Sequence, residues 1–287
     1  MDFCRQGNLN SHHTSAINVI EFFTTLFPTR GYSALSTARA AIATIVLLPD
    51  GYTVSNHPLI IRYFKGIFNL KPPSPRYRAV WDVKIVLDFL RSLSPAKTLG
   101  LRDLTFKVTM LMALLTAQRQ QTLKYLNISQ MKIGPDKFVF QVNDILKTSK
   151  PGKIGVTIEM CAYPPEKRLC IYKYLTEYLK RTKELRGKEK QLLISFRKPY
   201  TPVTTDTIAR WLRTVMLNSG LDITEYKAHS VRTAAVSNAF AANIPVEDII
   251  SQAGWVNEKT FQKWYQKPIH QMPQTVNRFA SALLKRD

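Results

Sequence analysis

Four residues in the C-terminal part of the chain could act together on a phosphodiester: His229, Arg232, Trp255 and Tyr265. His229 and Arg232 are three positions apart at a predicted helix start, so they project from one face. Such a pair alone usually caps a helix or lies at the surface, and a single tyrosine among the 12 in the chain indicates nothing. The stretch from His229 to Tyr265 becomes informative only in combination with Arg119.

Arg119 and Arg232 come from distant segments and could grip one phosphate from two sides. The transition state of phosphodiester cleavage spreads negative charge over the non-bridging oxygens, and guanidinium groups offer fixed donors that keep their charge. Together they would supply the positioning and electrostatic stabilisation that phosphoryl transfer needs. The alternative for Arg119 is a salt-bridged helix residue.

Tyr265 is the candidate nucleophile, whose hydroxyl would attack phosphorus and hold the strand as a phosphotyrosine. The ordinary pKa of a tyrosine is about 10, so the hydroxyl needs help to lose its proton. His229 is the candidate for that help, because an imidazole exchanges protons near neutrality. Trp255 has one N–H donor and no acceptor, so it can bind a phosphate oxygen but cannot act as a base. Its alternative role is core packing.

Three lysines, Lys147, Lys150 and Lys153, lie in a segment that predicts a basic hairpin loop. The flanking stretches 137–142 and 155–160 are strand-like. Pro151-Gly152 between them suits the central positions of a type II turn. Any of the three could contact a phosphate.

The elements that would position these residues are mostly helical. Residues 1–13 are predicted to be loose, and three prolines between 72 and 75 predict an interdomain linker over 72–79. Hydrophobic spacing predicts helices over about 14–26, 33–46, 57–70, 81–93, 107–115, 118–126, 170–185, 205–219, 230–243, 246–253 and 259–265. The predicted fold class is mostly α with a small antiparallel sheet, in a helical domain over 1–71 and an α+β domain over 80–287.

The charge of the chain favours a polyanionic partner. Its 41 Lys+Arg against 20 Asp+Glu give a formal net charge of +21, which favours nucleic acid first and acidic membrane second over a basic protein without such a partner. The candidate DNA-binding residues are Arg30, Arg39, Arg62, Lys65, Lys150, Lys153 and Lys198.

Other compositional features exclude several classes. Cys4, Cys161 and Cys170 form no CxxC pair and the histidines do not cluster, so neither a disulfide framework nor a metal site is expected. We see no apolar run long enough to span a membrane and no secretory signal. We therefore expect an intracellular protein, nuclear if the source is eukaryotic.

The order of these features resembles the tyrosine recombinase (phage integrase) family: Arg119, a hairpin lysine, His229-x-x-Arg232, Trp255 and Tyr265. The resemblance covers about 78–268, and the preceding helices look like the family's core-binding domain. The amino-acid sequences of three segments are most similar to those of recombinases of eukaryotic DIRS-like mobile elements, with Crypton-like elements second. These segments are Ala-Gln-Arg-Gln-Gln-Thr-Leu from Ala117, Lys-Thr-Ser-Lys-Pro-Gly from Lys147, and Ala-Gly-Trp from Ala253.

The resemblance implies a site-specific recombinase or integrase that cleaves and rejoins DNA without metal, ATP or another cofactor. It implies a 3′-phosphotyrosyl intermediate, a free 5′-hydroxyl, and a hairpin lysine that protonates the departing oxygen. Lys147 fits that role best, and Lys150 is second. The implied partner is double-stranded DNA, on which the chain would assemble into a tetramer. A possible C-terminal helix with Phe279, Ala280, Leu283 and Leu284 would pack on a neighbouring protomer or fold back on its own domain.

Two features depart from the family pattern. Tyr265 follows Trp255 by ten positions, one more than expected, which fits a bulge. Thr122 stands where an acidic residue is common, so the contact that supports the site is expected to differ.

Two other functions would use parts of the same sequence. A type IB topoisomerase shares this chemistry but relaxes supercoils, and a DNA-binding protein derived from a mobile element would have no activity. The two-domain layout and small size favour a recombinase, and the complete set of active-site residue types counts against decay.

Overall fold

The computed structural model describes residues 2–73, 77–147, 149, 151–152, 155–255, 258, 261–262 and 265–270. Backbone contacts divide the chain into two compact units, Met1–Arg76 and Tyr77–Asp287, called here the N-terminal and C-terminal units. The division falls inside the stretch 72–79 that the prolines predict as a linker. No helix among the described residues is long and apolar enough to cross a membrane.

The N-terminal unit is helical, with α1 (Asp2–Gln6), α2 (Ala16–Leu26), α3 (Tyr32–Ile42) and α4 (Pro58–Leu70). Ser15 caps α2 by accepting a hydrogen bond from the backbone N–H of Asn18, which fixes where that helix begins. The rings of Phe23 and Phe64 meet edge to face at 5.0 Å in the centre of its core. Edge-to-face packing of this kind adds to the stabilisation from area burial.

The prediction that residues 1–13 are loose is wrong. Asp2–Gln6 is helical, and the backbone N–H of Leu47 donates to the carbonyl of His12 at 2.7 Å. The ring of Phe3 packs 5.4 Å from that of Phe22. A single helical turn has little stability of its own, so this tertiary contact explains why local sequence signals missed it.

The C-terminal unit is built around one buried helix, α6 (Leu101–Thr116). Apolar residues surround it, as expected of a helix that packs against neighbours on every side. Those neighbours include the following elements: α5 (Val83–Ser92), α7 (Gln120–Lys124), α8 (Ile171–Thr182), α9 (Thr205–Asn218) and α10 (Ser230–Ala241). The helix begins before the predicted residue 107. The prediction missed its first turns because the charged residues Arg102, Asp103 and Lys107 obscure the apolar pattern. A further helix, α11 (Val246–Ala253), confirms the predicted bounds.

Two small sheets complete this unit. A parallel pair joins β1 (Val80–Trp81) to β5 (Ile269–His270), and sequence patterns missed it because each strand has only two residues. Trp81 therefore belongs to a strand, and the helix predicted from it begins after Asp82, whose side chain caps α5. The second sheet is antiparallel, in the order of β2 (Met131–Ile133), β3 (Lys137–Val142) and β4 (Val156–Cys161).

The predicted hairpin is β3–β4, with Phe140 opposite Ile158. Gly152 has φ +78°, the value required at the third position of a type II turn. Gly155 has φ +88°, and a Cβ there would lie 2.9 Å from the carbonyl oxygen of Val142, so only glycine fits. The fold class predicted from sequence, mostly α with a small antiparallel sheet, is confirmed.

Candidate active site

Arg232 lies at the centre of the candidate site with two unused donors. It belongs to the first turn of α10 and is 6% exposed. Its Nη2 donates to the carbonyl of Ala253 at 2.8 Å, whereas Nε and Nη1 have no hydrogen-bond partner among the described residues. A buried donor without an acceptor costs free energy, so a cation left in this state is suited to bind an anion.

Trp255 and Tyr265 pack against this guanidinium. The ring centroids of Trp255 and Tyr265 are 4.4 Å apart, and the Arg232 Cζ lies 4.8 Å and 5.6 Å from them. Trp255 is buried, and its Nε1 also has no hydrogen-bond partner among the described residues. Three donor atoms of two residues, none with a partner in the part of the chain that the structure describes, therefore lie beside the ring of Tyr265.

The electrostatics of Arg232 favour binding of an anion. Burial first, and then the neighbouring charge of Arg119, lower the pKa of Arg232 to about 10, against an opposing effect of Tyr265. Two guanidiniums close enough to disfavour each other's charge are stabilised when an anion binds between them.

Arg119 follows α6 at a sharply turned connection. Ala117 ends that helix in the left-handed conformation, with φ +49°, and Arg119 is the N-cap residue of α7. Two glutamines fix the connection: Gln118 Nε2 donates to the carbonyl of Gln252 at 2.8 Å, and Gln252 Nε2 donates to that of Leu115 at 2.9 Å. The connection to Arg119 is thereby joined to α11, whose last carbonyl holds Arg232.

A cleft of about 390 Å³ opens at this place. It is lined by Arg119, Thr122 and Trp255, by Ala253 and Gly254, and by residues of the β3–β4 loop. Leu146 and Ser149 line it from that loop and bracket Lys147 in a turn closed by two reciprocal hydrogen bonds of 2.9 Å each. Lys147 is exposed in this turn, whereas Lys150 and Lys153 lie outside the described residues.

His229 precedes α10 and is exposed to solvent. Its imidazole centroid lies 5.4 Å from the ring of Tyr77, which is buried at the start of the C-terminal unit. His229 therefore lies about one helical turn before Arg232, at the helix start that the sequence spacing predicts.

Tyr265 follows a helical residue pair, Phe261 and Gln262, and its backbone N–H donates to the carbonyl of Phe261 at 2.8 Å. Ser237 Oγ on α10 donates to the carbonyl of Tyr265. The ring therefore reaches Arg232 and Trp255 despite the additional residue in the interval. The predicted helix 259–265 is described only at these positions, and the segment with Phe279, Ala280, Leu283 and Leu284 lies outside the described residues.

Several residues that support the site could not be predicted from sequence patterns. Tyr77, Ser237 and Gln252 each contact a candidate residue or its neighbour from a remote position in the chain. Thr122 is 4% exposed in the cleft wall, so a hydroxyl takes the place where an acidic residue was expected. The position of Thr122, three residues after Arg119, is the sequence feature that indicated its place in the site.

The other candidate DNA-binding residues are exposed cations with one exception. Arg30, Arg62, Lys65 and Lys198 are exposed. Arg39 is partly covered, because its Cζ lies 4.5 Å from the ring centroid of Phe64. Arg39 therefore also contributes to packing within the N-terminal unit.

The fold is that of the tyrosine recombinases. The XerH site-specific recombinase in its pre-cleavage complex with difH substrate superposes with a TM-score of 0.61 at 10% identity, over 96% of this chain and 72% of that one. The Tn1549 transposon integrase in complex with transposon right end DNA gives 0.59 at 11% identity, over 95% and 85%. A lambda integrase tetramer bound to a Holliday junction gives 0.55 at 12% identity, over 92% and 68%.

At these identities the similarity establishes the fold alone and not the roles of the site residues. The sequence matches no family model and no curated protein.

Proposed function

We propose that this protein is a site-specific DNA recombinase or integrase that cleaves and rejoins DNA strands through Tyr265. One observation carries the proposal: Nε and Nη1 of Arg232 and Nε1 of Trp255 are buried beside the ring of Tyr265 with no hydrogen-bond partner in the described part of the chain. A phosphate diester placed there would satisfy these donors and bring phosphorus to the tyrosine hydroxyl.

In the proposed first step, the Tyr265 oxygen attacks phosphorus and the bond to the 5′-oxygen breaks. His229 takes the proton of the tyrosine hydroxyl, and Arg119 and Arg232 stabilise the charge on the non-bridging oxygens. The products are a 3′-phosphotyrosyl link and a 5′-hydroxyl. The new link conserves the phosphodiester, so a second 5′-hydroxyl can reverse the step without ATP or metal.

The departing 5′-oxygen needs a proton, and Lys147 is the proposed donor. Its turn is bracketed by two residues that line the cleft, and its ammonium is exposed to a substrate that enters it. Lys150 is the second candidate on the grounds of sequence alone.

The test is a nicked suicide substrate, from which the fragment that carries the 5′-hydroxyl diffuses away after cleavage. Wild type should accumulate a protein–DNA adduct on a denaturing gel, and Tyr265→Phe should give none. Tyr163→Phe is a matched control, because Tyr163 is exposed at the end of β4 and should react like wild type. A chelator should change nothing.

Two results would overturn the proposal. If wild type binds DNA but forms no adduct, the chain is a DNA-binding protein without this activity. If Tyr265→Phe still forms the adduct, another residue is the nucleophile. Relaxation of supercoiled plasmid without strand exchange between two sites would instead indicate a topoisomerase.

The proposed partner is double-stranded DNA, supported by the net charge of +21 and by neighbours whose structures contain DNA. A tetramer on DNA is proposed because lambda integrase has that form on a Holliday junction. The amino-acid sequences around Arg119 and Trp255 further support an origin in DIRS-like or Crypton-like elements. The proposed place of action is the nucleus if the source is eukaryotic.

A further inference from the structure

Tyr77 is the first described residue of the C-terminal unit and is only 5% exposed. Its ring lies 5.4 Å from the imidazole of His229, with an angle of 40° between the planes, and 5.7 Å from the ring of Tyr226. Its hydroxyl accepts a hydrogen bond of 3.2 Å from the backbone N–H of Lys227. The tyrosine side chain is therefore fixed at both its ring and its hydroxyl.

His229 is exposed, and its imidazole packs against the buried ring of Tyr77. This contact restricts the rotamer freedom of the imidazole, because the imidazole loses packing when it turns away. Since a general base must lie within hydrogen-bond reach of its proton, the orientation of this ring bears directly on the rate.

The same residue is joined to the segment that follows Tyr265. Lys267 Nζ donates to the backbone carbonyl of Tyr77. Three positions later along the chain, the N–H of Val80 donates to the carbonyl of Pro268 at 2.9 Å, and β1 pairs with β5. Residues 77–81 thus hold the chain directly after the proposed nucleophile.

We infer that Tyr77 is a positioning residue of the strand-transfer site. Its ring orients the imidazole of His229, and its carbonyl, through Lys267, helps to fix the segment that carries Tyr265. The inference rests on the proposed function and adds a residue that does not touch the DNA or the reacting atoms.

The experiment measures single-turnover adduct formation on the suicide substrate at saturating protein, with the dissociation constant for DNA measured separately. Tyr77→Leu should slow adduct formation roughly 10- to 100-fold, the scale expected when a catalytic group is misplaced by about an ångström. DNA affinity should be unchanged. Tyr77→Phe, which keeps the ring, should restore most of the rate.

Phe196→Leu serves as the control for the loss of an aromatic contact. Phe196 packs 5.5 Å from Trp211 elsewhere in the unit, so its loss should lower the melting temperature but not the rate. In a His229→Ala background, Tyr77→Leu should slow the reaction by less than about twofold more, because its effect passes through the imidazole.

The inference is overturned if Tyr77→Leu reacts at the wild-type rate, if Tyr77→Phe is as slow as Tyr77→Leu, or if the effects of Tyr77→Leu and His229→Ala multiply. Should Tyr77→Leu not fold, Tyr77→Met replaces it in the same comparisons. Lys267→Met tests the second contact and should also slow adduct formation at unchanged DNA affinity; an unchanged rate refutes that link. Absence of any wild-type adduct would instead refute the proposed function.

Discussion

Lys107 and Arg232 are both buried cations of the C-terminal unit, yet their donors have opposite surroundings. Lys107 is fully buried in α6, and its Nζ donates to the carbonyls of Leu90 and Leu93 at 2.6 Å and 2.7 Å, at the end of α5. The ring of Tyr174 lies 3.7 Å away. Arg232 uses one donor on Ala253 and leaves Nε and Nη1 unpartnered among the described residues.

The difference separates a cation whose donors the fold uses from one that, in the proposed function, binds the substrate phosphate. At Lys107 the protein supplies two acceptors and an aromatic face, so the charge joins α5, α6 and α8. At Arg232 the described residues supply burial but an acceptor for only one of the donor nitrogens. A fold retains such an arrangement at a cost in stability, which an anionic substrate can offset.

The largest expected effect is that of Arg232→Met on chemistry. Loss of the guanidinium should slow adduct formation by about 10²–10³-fold or more, because the phosphate charge loses a preorganised donor. The free energy of unfolding should not fall, since two buried donors without a partner among the described residues disappear. Single-turnover kinetics and urea unfolding measure the two quantities.

Arg186→Met is the matched control for that variant. Arg186 is equally buried at 6% exposure, but its donors reach Thr182, Gln191 and Leu192. This control should lower stability without changing the rate of the folded protein. Equal kinetic effects of both variants would remove the distinction between the two kinds of buried cation.

Lys107→Met should act on stability instead of chemistry. We expect a loss of roughly 2–3 kcal/mol, because two buried carbonyls lose a charged donor. Urea unfolding measures it, with Lys173→Met as the control. Lys173 is exposed on α8, so its replacement should change stability by less than about 0.5 kcal/mol. A stability of Lys107→Met equal to wild type would show that the contacts contribute nothing net.

Trp255→Phe should have a smaller kinetic effect and decides between the two roles of this residue. Phenylalanine keeps a ring beside Arg232 and Tyr265 but lacks the Nε1–H donor. If the indole binds phosphate, adduct formation should slow about tenfold or more, the effect of losing one hydrogen bond to an anion. A rate within about twofold of wild type would indicate packing alone.

The most gradual expected effect is the pH dependence of the Lys107 contribution. Burial first, and then the charges of Lys173 and Arg168, lower its pKa from 10.5 to about 7, against an opposing effect of Glu166. The folded state therefore releases this proton before the unfolded state does. The stability of wild type relative to Lys107→Met should rise with pH between about 7 and 10.5, by at most roughly 1.4 kcal/mol per pH unit.

Unfolding curves across that pH range measure the difference, and a fall with rising pH would contradict it. Lys173→Met should move the start of the rise to higher pH, because one charge that lowers the pKa of Lys107 is absent.

The helices of this protein follow from local sequence signals wherever the apolar pattern is regular. The helix 246–253 has an apolar face, a preceding proline and a following glycine, and its bounds are as predicted. The β3–β4 hairpin likewise follows from alternating residues and a Pro-Gly turn. The start of α6 was misplaced because the charged residues Arg102 and Asp103 interrupt the apolar pattern in its first turn.

The sequence by itself determined the fold class and the set of residue types that could act on a phosphodiester, because periodicity, turn residues and guanidinium or phenol chemistry are local properties. Only the tertiary structure decided which donors are left without partners, and which remote side chains hold them. Tyr77 and His229 are far apart in the chain, as are Gln118 and Gln252, and burial depends on every element that packs around a site. No local sequence pattern encodes burial of this kind. The roles of these residues therefore stay predictions: Arg119, Lys147, His229, Arg232, Trp255 and Tyr265.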